Sequence, residues 1–359
     1  MRQLRTLSEE AIYTLAHSGT TEAINAQPLV LVKGQGTEII DNPSLETRAK
    51  RKIITNKMAL SLIDIAKENG DFEAVQQYWN AYHCQSNITS FNYRLYGNYC
   101  KNRFCTICTA IRKAEIINKY YPTISQWEDP HFITLTVKSC KADKLNLWVG
   151  GMFKAFDRIH NRCKKRHQRG NGIKLIGVKS LECNFNPINK TYNPHFHIIV
   201  PNKETAILLR NEWMLQWRPQ DVSVYRYKFT SPKAQHIKRI DDLEHTLVET
   251  IKYGSKIFTE PDLKKKSQLP KDRMIYAKAL HYIFQAMKGK RLFDRFGFNL
   301  PRKEKPINQT KWIKTYENWF YSLEAGDWIN EESNECLTGY LMPLELSTLI
   351  NECINIEAS

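Results

Sequence analysis

Three groups of residues have the types and the spacing to do chemistry. The stretch "YNPHFHIIV", residues 192–200, sets His195 and His197 two apart ahead of a β-branched run. On a strand they project to one face while Phe196 turns to the other. Two adjacent imidazoles can hold a metal ion; a pair of histidines at a sheet edge gives the same pattern without one. The stretch "VETIKYGSKI" places Glu249 and Tyr253 four apart, and Lys252 and Lys256 likewise, which a helix brings to shared faces. A tyrosine oxygen can attack phosphorus, and a carboxylate can move protons or activate water. Free tyrosine titrates near about 10, so such a site needs a metal or a lysine to stabilise charge on the phosphate. A packing aromatic with solvated charges fits this segment too. Third, Cys84, Cys100, Cys105 and Cys108 crowd into one short region. Cys105 and Cys108 form a CxxC knuckle, and two further thiolates complete a tetrahedral zinc site. The spacing of Cys84 and Cys100 is irregular for common zinc fingers, and four buried reduced thiols are the other reading.

The elements that must position these residues follow from periodicity. "HFITLTVKSC" (131–140) alternates and is β-branched, hence a strand. "GIKLIGVKSLECNFN" reads as a second strand and "HFHIIVP" as a third, with the turn-rich "NPINKTYNP" between them. That hairpin brings the two strands together, but a register slip of one residue would turn Glu182 to the other face, and an exposed strand residue is the plain reading of it. "DKLNLWVGGMFKAFDRIHNRCKKRHQR" is helical with an interruption at Gly150 and Gly151. "KETAILLRNEWMLQWR" and "DDLEHTLVETIKYGSKIF" are helices, and "VSVYRYK" is a short strand. Residues 42–84 read as helix, capped at Asn42 or Ser44 and split at Gly70-Asp71. Helix resumes over "RMIYAKALHYIFQAMKGKRLFDRFG". The end of the chain, which alternates Trp, Tyr and Leu with Glu, reads as partly helical. The element order gives an α+β fold, a central antiparallel sheet flanked by helices, with helical N- and C-terminal segments.

Composition narrows the function. The 359 residues carry a net charge of +16, unevenly spread. Residues 315–359 hold nine acidic residues and no Lys or Arg, leaving 53 basic against 28 acidic residues in the first 314. Such an excess points to a polyanion, with nucleic acid first. Arg103 and Arg112 beside the cysteines are candidate DNA contacts. So are Lys164, Lys165 and Arg166 in "KKRHQR", and Lys288, Lys290 and Arg291 in "KGKRLFDR". In "VYRYK", Arg226 and Lys228 alternate with tyrosines, as when cations track phosphates and aromatics stack on bases. Helix ends and strand packing account for the same residues. No apolar run is long enough to span a membrane, and the first residues lack the pattern of a secretion signal. A cytoplasmic protein with no membrane partner is expected, and there clustered cysteines suggest metal before disulfides.

Taken in order, "FITLTV", "HFH" on a strand and "ExxKYxxK" on a helix resemble the HUH endonucleases. More closely, the chain resembles the rolling-circle replication initiator (Rep) proteins of plasmids, over residues 84–300. Thr134 and Thr136 match the first motif. The resemblance implies that His195 and His197 bind a divalent cation, Mg²⁺ or Mn²⁺, with Glu182 as candidate third ligand. It implies that Tyr253 attacks single-stranded origin DNA, leaving a 5′-phosphotyrosine link and a free 3′-OH primer. Lys252 or Lys256 would hold the phosphate. Glu249 sits where two-tyrosine members carry a second tyrosine, and would activate water for the last cleavage. Plasmid Rep relatives also carry a similar cysteine pattern, often with proline after the second of the three downstream cysteines, where this chain has Thr106.

The expected organisation is a helical basic region over 1–82, a zinc-binding region over 83–130, the nuclease domain over 131–258, a helical basic accessory segment over 259–314 and an acidic tail over 315–359. Expected partners are single- and double-stranded plasmid origin DNA and a host helicase or polymerase. The acidic tail offers a contact for a host protein, a mask over the DNA surface, or solubility, and the sequence does not rank these. Two other readings remain: an HUH transposase or mobilisation relaxase, and a zinc-containing DNA-binding protein without catalysis. A transposase of the rolling-circle type would show two tyrosines, and a relaxase a tyrosine ahead of the histidines; this chain has neither arrangement.

Overall fold

The computed structural model describes residues 42–91, 94–217, 229–251, 273–301 and 317–341. The chain forms two compact units. One comprises Met1–Lys119 with Arg302–Ser359, the other Tyr120–Pro301.

In the first unit, α1 (Asn42–Glu68) and α2 (Phe72–Tyr82) pack together. Gly70, at φ +67°, ends the first, and Asp71 starts the second by accepting a 3.0 Å hydrogen bond from the Ala74 amide. The expected break at Gly70-Asp71 is therefore present. An antiparallel hairpin follows, β1 (Asn87–Phe91) and β2 (Arg94–Gly97), and then α3 (Thr106–Ile124). Here the end of the chain departs from the expected partly helical tail. Over the described residues it forms two strands, β8 (Glu317–Ser322) and β9 (Asp327–Asn330), in a four-stranded sheet of order β2-β1-β8-β9. The reason is alternation: Trp319 and Trp328 turn inward onto Ile88 and Ala49, and burial of large indoles outweighs helix propensity. The Trp328 indole donates to the Gln85 carbonyl at 2.7 Å, and Asp327 accepts from the amides of Thr338 and Gly339.

The second unit is built on a five-stranded antiparallel sheet of order β6-β3-β5-β4-β7. Its strands are β3 (His131–Thr136), β4 (Gly177–Asn186), β5 (Thr191–Val200), β6 (His236–Arg239) and β7 (Phe293–Phe296). One face packs on helices. α4 (Ala142–Gln168) presents Leu145, Val149, Met152, Phe156, Ile159 and Cys163 as a buried stripe, at the spacing of one helical face. Phe153 and Phe156 meet Phe196 of β5, and Trp213 of α5 (Lys203–Gln216) meets it too. α6 (Leu243–Thr250) packs against β5 and α7 (Arg273–Met287) against α4.

Two expectations are corrected here. α4 runs without a break through Gly150 and Gly151. A Cβ at Gly150 would meet open space, and one at Gly151 only the Trp217 ring edge at 3.4 Å, so neither glycine marks an interruption. Residues 293–296 are not a continuation of helix but the edge strand β7, paired with β4. Helix stops at Met287 because Gly289 takes φ +70°, and Phe293 and Phe296 find burial by completing the sheet. Within the stretch 259–314, expected to be a helical basic accessory segment, the described residues supply α7 and β7 to this unit. Among the described residues no helix is long and apolar enough to cross a membrane.

Candidate metal centre and thiolate cluster

The register of the sheet assembles the first cluster. β5 lies between β3 and β4, with Glu182 opposite His195, and Ser180 and Thr134 on either side of His197. Directly opposed residues share a face, so Glu182 and both histidines point the same way, away from Phe196. The His195 Nε2 lies 3.8 Å from Glu182 Oε2, and the His197 Nδ1 lies 3.5 Å from Glu182 Oε1. One ligand atom from each of the three falls within 4.8 Å of the others. These separations exceed those of direct hydrogen bonds. Two ligand bonds of about 2.0–2.2 Å to one ion span them. Glu182 and His195 are 2% and 5% exposed, so an ionised carboxylate here calls for a positive partner.

The sheet also orients the ligands. The His195 Nδ1 sits 2.9 Å from the Asn193 carbonyl, which requires the proton on Nδ1 and leaves the Nε2 lone pair towards Glu182. Thr136 Oγ1 donates to the Asn193 side chain at 2.8 Å. The Thr136 carbonyl accepts from the Trp213 indole at 3.1 Å and from Thr230 at 3.0 Å, while its amide donates to Gln235 at 2.9 Å. Sequence reasoning missed Asn193 and Gln235. The turn-rich stretch "NPINKTYNP" takes in Asn193, although its position two before His195 places it on the same face of the strand. Two imidazoles and a carboxylate fit a divalent cation of borderline or hard character.

The second cluster lies in the first unit. Cys84 follows α2, Cys100 follows β2, and Cys105 and Cys108 flank the start of α3. The Cys108 sulfur lies 3.5 Å from that of Cys84 and 3.6 Å from that of Cys100. A disulfide would need about 2.0 Å. Four sulfurs bound tetrahedrally at about 2.3 Å from a zinc ion stand about 3.8 Å apart, so the donor set and its spacing fit zinc. Backbone amides of Cys100 and Asn102 donate to the sulfurs of Cys84 and Cys100 at 3.4 and 3.3 Å. The Cys105 thiol is held well below its ordinary value, chiefly by hydrogen bonds from Cys100 and Cys108, while Cys100 is pushed up, first by its bond to Cys105. Lys52, fully buried, donates to the carbonyls of Tyr82 and Cys84 at 2.9 and 2.6 Å. Burial lowers its amine to about 8 against the opposing pull of the four sulfurs. The Thr106 amide donates to Thr55 Oγ1 at 3.0 Å, a bond that proline at this position could not make.

The remaining site residues divide. Glu249 lies on α6; Lys252, Tyr253 and Lys256 lie outside the described residues, as do Arg226 and Lys228. Lys164 and Lys165 are exposed at the end of α4, and Lys288 and Arg291 are exposed beside the α7–β7 turn, with Lys290 half-buried. Arg291 stands 3.4 Å from Asp294. Arg166, also a candidate DNA contact, joins Arg162 in clamping the buried Glu212 of α5. Arg103 and Arg112 are half-buried near the cysteines, and Arg112 donates to the Lys101 carbonyl at 2.6 Å.

A family model described as a replication protein matches residues 93–325. A Protein rep of Staphylococcus aureus is 31% identical over 172 residues, 45% of this chain and 70% of that protein. A Protein rep of Streptococcus pneumoniae serotype 2 is 27% identical over 220 residues, 55% of this chain and 65% of its own. A third, from Bacillus amyloliquefaciens, is 26% identical over 132 residues, 34% of this chain and 37% of that protein. No solved structure matches the chain. With the family model covering well over half of its length, the chain belongs to the Rep family of plasmid replication proteins.

Proposed function

We propose that this Rep protein starts rolling-circle replication by cutting and rejoining single-stranded DNA at a plasmid origin, with Tyr253 as nucleophile. The observation that carries the reading is the convergence of Glu182, His195 and His197 on one face of a buried sheet, in a chain of the Rep family. A divalent cation bound there would act as a Lewis acid on the scissile phosphate. Glu182 and the two imidazoles would hold that ion, and the Asn193 carbonyl keeps the proton of His195 on Nδ1, off the nitrogen that faces Glu182.

In the proposed step the Tyr253 oxygen gives up its proton and forms a bond to phosphorus. The bond from phosphorus to the 3′ oxygen breaks, and that oxygen leaves as a 3′-hydroxyl after taking a proton. Lys252 or Lys256 balances charge on the phosphate. Glu249 activates the water that ends the last round, so that the enzyme is released instead of reattached. The cysteine cluster holds zinc in a structural role and stabilises a segment with few apolar residues. Lys164, Lys165, Lys288 and Arg291, all exposed, are the proposed phosphate contacts among the described residues.

The test is to trap the covalent product. Protein, Mn²⁺ and a single-stranded origin oligonucleotide are quenched in detergent, digested, and the DNA-bearing peptide is identified by mass spectrometry. The expected peptide carries Tyr253. A nick with the adduct on another residue, or with none, contradicts the mechanism.

A further inference from the structure

Ser180 of β4 stands directly opposite His197 of β5 and two residues before Glu182. Strand geometry puts all three on one face. Ser180 is fully buried, and its hydroxyl has no hydrogen-bond partner among the described residues. On its other flank β7 presents Phe293, and along the strand on the same face comes Val178. His197 across the pairing and Glu182 along the strand are polar groups on this face. Taking a hydroxyl out of water with nothing to bond is unfavourable, and alanine would fill the position without that cost.

We infer that Ser180 is a positioning residue of the cation site: its hydroxyl donates to an oxygen bound on the ion, a water at rest and a phosphodiester oxygen during reaction. The inference rests on reading Glu182, His195 and His197 as a cation site. Three protein ligands leave positions on an octahedral ion to be filled by oxygen. A donor in the adjoining strand position would orient that oxygen, as outer-sphere groups do at metal sites. The arrangement also accounts for the burial of a hydroxyl whose partner arrives with the ion.

The test compares wild type with Ser180→Ala, free of divalent metal and then titrated with Mn²⁺, by calorimetry and thermal unfolding, without DNA. The metal-free variant should melt at or above the wild-type temperature, because it loses a desolvated hydroxyl. Its Mn²⁺ dissociation constant should rise about tenfold, and its Mn²⁺-induced rise in Tm should shrink accordingly. A wild-type Mn²⁺ affinity in the variant overturns the inference alone. A metal-free Tm clearly below wild type also overturns it, since Ser180 would then be a structural residue. If wild type binds no Mn²⁺, the cation reading falls and this inference falls with it.

Discussion

Glu182 and His195 face each other across the pairing of β4 and β5, with Oε2 3.8 Å from Nε2. This one register relation turns two histidines on a strand into a three-ligand cluster. A slip of a single residue would send Glu182 to the helix-covered face that Leu181 occupies and turn Leu181 out in its place. Glu182→Ala should therefore remove the Mn²⁺-dependent gain in Tm and lower the cleavage rate by at least about a hundredfold, by the loss of a ligand and of its charge. Calorimetry and a gel cleavage assay check this. Glu182→Ala with wild-type cleavage would contradict the assignment.

The thiolate cluster makes a separate prediction. Purified protein should carry one zinc per chain by elemental analysis, and Cys105→Ser should carry none. Because metal binding is part of the folding free energy of such sites, a strong zinc chelator should lower the Tm of wild type and leave Cys105→Ser unmoved. Full occupancy in the variant would show that the sulfurs do not hold the ion.

Glu212 provides a test by pH. Burial on its own would push its carboxyl up, yet hydrogen bonds from Arg166 and Arg162 hold it below its ordinary 4.5. A depressed folded value means that the pair contributes stability above the unfolded value, and that this is lost as pH falls through the folded one. Wild type should thus lose Tm more steeply than Glu212→Gln between about pH 5 and pH 3, and near pH 7 the variant should be less stable by about 2 kcal/mol. Parallel curves would contradict this.

Gly150 tests the continuity of α4. It sits in mid-helix with open space where a Cβ would go. Gly150→Ala should raise stability by about 0.5–1 kcal/mol, the helix-propensity difference, measured by denaturant unfolding. A loss of stability would mean that the helix needs the glycine.

These positions show what the sequence makes legible. The chemistry-bearing pattern "NPHFH" and the strands around it follow from period-two alternation, whereas the place of Glu182 depends on a register that the sequence leaves open. Local pattern fails where tertiary pairing decides. "LFDRF" has helical spacing, but Phe293 and Phe296 are buried by pairing with β4. The tail's acidity hides Trp319 and Trp328, whose burial against Ile88 and Ala49 makes a sheet from segments more than 200 residues apart in the chain. Arg166 reads as a free cation because its partner, Glu212, lies 46 residues away on another helix. Glycine pairs suggest a break only when nothing packs the helix around them, and the stripe from Leu145 to Cys163 holds α4 through Gly150 and Gly151.

The most direct measurement is cleavage of a labelled single-stranded plasmid-origin oligonucleotide by wild type and Tyr253→Phe, each with Mn²⁺ and with EDTA, on denaturing gels. The account predicts a nick and a protein–DNA adduct for wild type with Mn²⁺ alone. It predicts neither for Tyr253→Phe, whose DNA binding should stay near that of wild type. Tight binding by wild type on a verified origin, without nick or adduct in Mn²⁺, or a nick that persists in EDTA, would contradict it.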